Sequence, residues 1–139
     1  MSDNGFPDPL EKIIGALNTG LPLAYVGDTL PAQTALDQRL PVVLVQDIPG
    51  GSKHLPWQAG GGPLTDVFVA DFYILGKTRE QSREYARRVR GILFSLVYRD
   101  DIEIRRVIEN SAFARATDWN TKIKREHGEY AFEIGRGTA

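Results

Sequence analysis

The stretch from Thr65 to Leu75 limits the possible folds more than any other. In an extended chain Phe68, Phe72 and Ile74 fall on one face and Val67, Val69 and Tyr73 on the other. Large apolar residues on both faces suit a strand covered by neighbours, so this segment is predicted to be a central strand. Asp71 interrupts the second face, and a carboxylate buried there requires a partner. A helix is predicted directly afterwards, from Thr78 to about Tyr98. Ala86, Val89, Leu93, Leu96 and Val97 form its apolar stripe, with Tyr85 and Ile92 at the edges. Thr78 with Gln81 matches a capping box, and Glu80, Glu84 and Arg88 stand at supportive i,i+4 spacing.

The remaining elements are arranged around this strand–helix unit. Asp8-Pro9 reads as an N-cap and first helical position, and Leu10, Ile13, Ile14 and Leu17 recur at helical spacing until Asn18 to Gly20 end the helix. Leu23 to Val26 and Val42 to Val45 read as strands, the second β-branched and buried. From Ile102 to Glu109, isoleucines alternate with charged residues, which predicts a strand with one wet face. Residues 111–121 read as irregular or as a frayed extension. Tyr130, Phe132 and Ile134 alternate with Glu129 and Glu133, and Gly128 either turns a hairpin with Lys122 to Arg125 or marks a bulge in one long strand. The expected fold is α+β in a single domain spanning residues 1–139. A mainly antiparallel sheet is packed by one short N-terminal helix and one long central helix. Residues 1–8 are expected to form a mobile tail.

Composition bears on function chiefly by exclusion. With no cysteine, the chain has no disulfide framework, thiolate metal site or cysteine nucleophile. No apolar run reaches the roughly 18 residues of a membrane helix, and the acidic start does not resemble a signal peptide. The formal charge of −1 conceals a division. Residues 1–75 hold eight acids and three bases, and residues 76–139 hold ten acids and fourteen bases. Either the two halves mix in the folded domain, or opposite faces differ in sign and suit head-to-tail association.

From Pro49 to Pro63 the chain carries Gly50, Gly51, Gly60, Gly61 and Gly62, three prolines and Trp57. Such long loops inside a compact domain are uncommon and usually functional or disordered. The triple glycine leads into a strand rather than a helix N-terminus and lacks a Lys-Ser/Thr pair, so it does not match a phosphate cradle. His54 and His127 have no metal-pair spacing and read as solvated, and no G-x-S-x-G nucleophile motif occurs. No cofactor or metal is expected.

Four ordered stretches resemble the small tail terminator proteins of long, non-contractile-tailed bacteriophages, especially those of actinobacteria. They are DPLEKIIGAL, LPVVLVQDIPGG, TDVFVADFYILGKTREQSREYARRVRGIL and RVIENSAFARATDWNTKIKREHGEYAFEI, which together span roughly residues 8–135. The resemblance implies a structural virion protein without catalytic residues or cofactor. It would be assembled in the host cytoplasm as a ring, typically a hexamer, at the tail–head junction. Its implied partners are further copies of itself, the tail tube protein and a neck or head-completion protein, with neither membrane nor specific nucleic acid among them.

The residues expected at subunit or partner interfaces are Pro49, Gly50, Gly51, Trp57, Gly60 and Gly61 of the loop, Asp71 of the central strand, and Arg79, Arg83, Arg87 and Arg90 of the long helix. Large aromatics such as Trp57 are favoured anchors, and the arginines could meet acidic segments of a neighbour. Another connector component, in the neck or head closure, would share ring assembly and small size. A small enzyme using the loop as a lid, with Asp71 and His54, would instead be a monomer with a pocket under the loop. A nucleic-acid module using the helix arginines would show salt-sensitive DNA binding.

Overall fold

The computed structural model describes residues 9–32, 36–48, 53–54, 65–117 and 122–135. The elements in chain order are α1 (Pro9–Gly20), β1 (Tyr25–Gly27), α2 (Leu36–Arg39), β2 (Val42–Asp47), β3 (Lys53–His54), β4 (Thr65–Gly76), α3 (Arg79–Ser95), β5 (Ile104–Arg115) and β6 (Lys124–Gly135). A 3-10 turn over Leu96–Tyr98 completes the long helix. The five main strands are ordered β1-β2-β4-β6-β5, and β3 pairs with the start of β4. β1 and β2 run parallel; every other pairing is antiparallel. The expected α+β architecture and the central place of Thr65 to Leu75 are both found.

β4 and β6 pair without a register break from Thr65↔Gly135 to Gly76↔Lys124. Their shared face carries Phe68, Ala70, Phe72 and Ile74 from β4 and Tyr130, Phe132 and Ile134 from β6, all buried. Phe72 is fully enclosed, with its ring edge-on to Tyr130 at 5.6 Å and to Phe132 at 6.1 Å. Over this face lie Ile13, Ala16 and Leu17 of α1 and Tyr85, Ala86, Val89 and Leu93 of α3. Each large side chain fully buried here contributes about 1.5–3 kcal/mol. Among the described residues, the opposite face is covered at one end, where Leu36 of α2 joins Val42, Leu75 and Ile123.

The join between β4 and α3 is built closely. Thr78 Oγ1 accepts from Gln81 N at 3.0 Å, as the capping pattern predicts, while Gln81 Oε1 reaches one residue further back and accepts from Lys77 N at 2.8 Å. Buried Ser82 Oγ lies between Thr78 O at 3.0 Å and Lys124 O at 2.8 Å, which ties the first helical turn to β6. A Cβ at Gly76 would stand 2.8 Å from Ser82 Oγ and 3.0 Å from Ser82 N, so only glycine allows this approach.

The second half of the chain departs from the sequence reading in three ways. Ser111 to Arg115 belong to β5 rather than to an irregular segment. Gly128 sits inside one continuous β6, paired with Phe72, so there is no hairpin and the bulges lie in β5 instead. The shift between Ile104 and Arg106 also breaks the predicted alternation. Ile104 opposes buried Ile134, Arg106 opposes Glu133, and from there Val107 and Glu109 share the helix-covered face with Phe132 and Tyr130. Ile108 consequently lies on the other face, opposite Ala131. Arg105 is the extra residue, and its guanidinium lies against Gly135 where a Cβ would collide.

Phe72→Ala should lower unfolding stability by about 3–5 kcal/mol, because it removes a ring from a fully packed site. Leu23, 83% exposed, should tolerate alanine to within about 0.5 kcal/mol. Urea denaturation of both variants checks the contrast.

Candidate functional site

The four helix arginines occupy different environments. Arg79 is partly buried, donates from Nη1 to Arg125 O at 3.0 Å and lies 3.6 Å from Glu126 Oε2. It joins α3 to β6 and is therefore anchored within the domain. Arg90 reaches β5, where its Nε and Nη2 donate to Glu109 at 2.7 and 3.4 Å, and its guanidinium lies 4.9 Å from the Phe94 ring centroid. Arg83 and Arg87 are exposed, and among the described residues neither makes a hydrogen bond or ion pair. Of the four, these two are the ones left with unengaged charge.

Glu109 also accepts from Tyr130 Oη at 2.6 Å, so one carboxylate links the helix, the outer strand and the core. The hydrogen bond from Arg90, followed by that from Tyr130, holds the Glu109 carboxyl below its ordinary range. Burial, reinforced by the hydrogen bond to Glu109, pushes the Tyr130 phenol well above its ordinary value. Sequence spacing gave no sign of this network. The bulge at Arg105 places Glu109 on the helix side, and a strict two-residue alternation would not.

A groove runs between α3 and β5. Near the start of the helix it opens into a cavity of about 300 Å³ lined by Arg83, Arg87, Arg90, Phe113 and Glu126. Glu126 is buried, and its Oε2 has no hydrogen-bond partner. Toward the end of the helix a wider hollow of about 580 Å³ is bordered by Phe94, Val97, Tyr98 and Val107. Tyr98 is 86% exposed.

Asp71 lies on the less covered sheet face, directly opposite Glu129. Like charges at such a position repel, and each carboxylate has a hydrogen-bonding contact to a neighbouring side chain. His127 Nε2 is 2.7 Å from Asp71 Oδ1, and Asn110 Nδ2 donates to Glu129 at 3.0 Å. The His127 ring stacks at 4.8 Å on Tyr73, whose other neighbour is the Arg125 guanidinium at 5.2 Å. The expectation of a solvated His127 is thus corrected. Its side chain is 32% exposed and engaged on both an edge and a face. Asp71 finds the partner it requires across 56 residues of sequence, a pairing that only the β4–β6 register produces. A histidine–carboxylate pair can move a proton, but neither His127 nor Asp71 has a further hydrogen bond to a nucleophile among the described residues. Nor do the described residues contain three His, Cys, Asp or Glu side chains placed to hold a metal ion.

Pro49, Gly50, Gly51, Trp57, Gly60 and Gly61 lie outside the described residues. Within that stretch the backbones of Lys53 and His54 pair with Val67 and Asp66. No helix of the described residues is long and apolar enough to cross a membrane. No protein-family model matches the chain, and comparison with curated proteins gives no match.

The Glu109 network sets a pH window for stability. A depressed carboxyl stabilises the fold above its ordinary value of 4.5 and loses that contribution as pH falls through the folded value. A raised phenol stabilises below its ordinary value of 10.0 and loses that contribution as pH rises through the folded value. Glu109→Ala should remove the acid limb, weaken the alkaline limb that burial of Tyr130 still sustains, and cost about 1–3 kcal/mol near neutrality, because the buried Tyr130 hydroxyl loses its acceptor. Denaturant midpoints measured from about pH 3 to about pH 11, a range that brackets both ordinary values, check both effects.

Proposed function

We propose that this chain is a structural virion protein, the tail terminator of a long non-contractile bacteriophage tail. In this reading about six copies form a ring on the last ring of the tail tube, end polymerisation there and present a surface to the neck of the head. The observation that carries the reading is where the family-like stretches fall in the fold. They supply α1, β2, the β4–α3 unit, and β5 with β6, which together make up the framework of the domain. A resemblance confined to one hairpin or loop would carry far less.

The arrangement of side chains supports a role in assembly. The polar groups that the fold brings together, Arg90 with Glu109 and Asp71 with His127, are paired with each other on sheet and helix surfaces. The wide hollow beside Tyr98 and the arginine-lined cavity both lie along one margin of the sheet, where a neighbouring molecule has access. In sequence, the glycine-rich segment also supplies Trp57, an aromatic of the kind favoured as an interface anchor.

The test is polymerisation of purified tail tube protein with and without this chain. Tubes grown in its presence should stop at a defined length, and the chain should be recovered on tubes at about six times its 15.5 kDa mass per end. Tubes that elongate equally in both conditions, with the chain absent from their ends, would overturn the terminator reading.

A further inference from the structure

The groove between α3 and β5 has a counterpart on the same chain. β5 forms one margin of the sheet and β1 the other. Along the β5 margin, Arg83 and Arg87 stand exposed over a floor that includes Ala86, Ala112 and Phe113. Along the β1–β2 margin, Asp28 is exposed in the turn that follows β1, and Asp47 is exposed at the end of β2, beyond the three residues that β1 covers. None of these four side chains has an ion-pair partner among the described residues. Arg39, the base on the acidic margin, is held over the Tyr25 ring at 5.0 Å.

We propose that the α3–β5 groove of one copy receives the acidic β1–β2 margin of the next, with Arg83 and Arg87 against Asp28 and Asp47, so that copies join head to tail. This rests on the ring reading above and names the two surfaces that make the ring. Complementary but different patches at opposite margins give a heterologous contact, the type that closes into a ring. Two further observations favour a second copy docked through side chains. The complementary charge is already present on this chain. The register breaks at Ile104/Arg106, Glu109/Ser111 and Ser111/Ala114 leave β5 without a regular ladder for edge-to-edge strand addition.

The experiment uses the full chain with tail tube protein present and measures assembly by analytical ultracentrifugation and negative-stain microscopy. Arg83→Glu/Arg87→Glu and Asp28→Lys/Asp47→Lys should each fold normally by circular dichroism, since all four positions are exposed. Each should lose ring assembly when alone. Mixed in equal amounts they should assemble again, because each variant retains the surface the other lacks and the two altered surfaces are also complementary. Rings formed by either variant alone would overturn the proposal while leaving the ring reading standing. Failure of the mixture to assemble, while the unaltered chain forms rings, would do the same. Failure of the unaltered chain to assemble in any of these conditions would overturn both.

Discussion

The twelve-residue pairing of β4 with β6 is the interaction on which the rest of the structure depends. It is unbroken, it lies at the centre of the sheet, and it places Phe72 between Tyr130 and Phe132. Both helices cover the apolar side of this pair, and β2 and β5 are added to its flanks. A one-residue slip would exchange its two faces, placing Phe132 among carboxylates and Glu129 in the core. The same register brings His127 to Asp71, so the polar order of the open face follows from the packing of the closed one.

Much of this framework was legible in the sequence because its signals are local. Apolar residues on both faces of Thr65 to Leu75 marked a central strand, and Thr78 with Gln81 marked the start of the helix. The features that were not legible depend on contacts between distant segments. The bulge at Arg105 depends on the backbone of Gly135 thirty residues away, and nothing near Ile104 announces it. Glu109 reads as a solvent-facing acid in simple alternation, yet that bulge turns it toward Arg90 and Tyr130. His127 looked solvated because its neighbours in sequence are charged, whereas its neighbours in space are Asp71 and Tyr73.

The candidate interface residues divide in the same way. Four helix arginines read alike as candidates to meet an acidic neighbour, but the fold engages Arg79 within the domain and commits Arg90 to Glu109. Arg83 and Arg87 are left with charge to offer a partner. Among the described residues, the charge division seen along the sequence then takes a spatial form, with Arg83 and Arg87 unpaired at one sheet margin and Asp28 and Asp47 unpaired at the other. Asp71 carries its own histidine and contributes to the order of the open face.

The proposed role places this chain at one location in a virion, the head-proximal end of the tail tube. Antibody labelling of purified tails that lack heads, viewed by electron microscopy, tests that location most directly. The account predicts label at one end of each tail, opposite the tip. Label confined to heads, with bare tail ends, would contradict it.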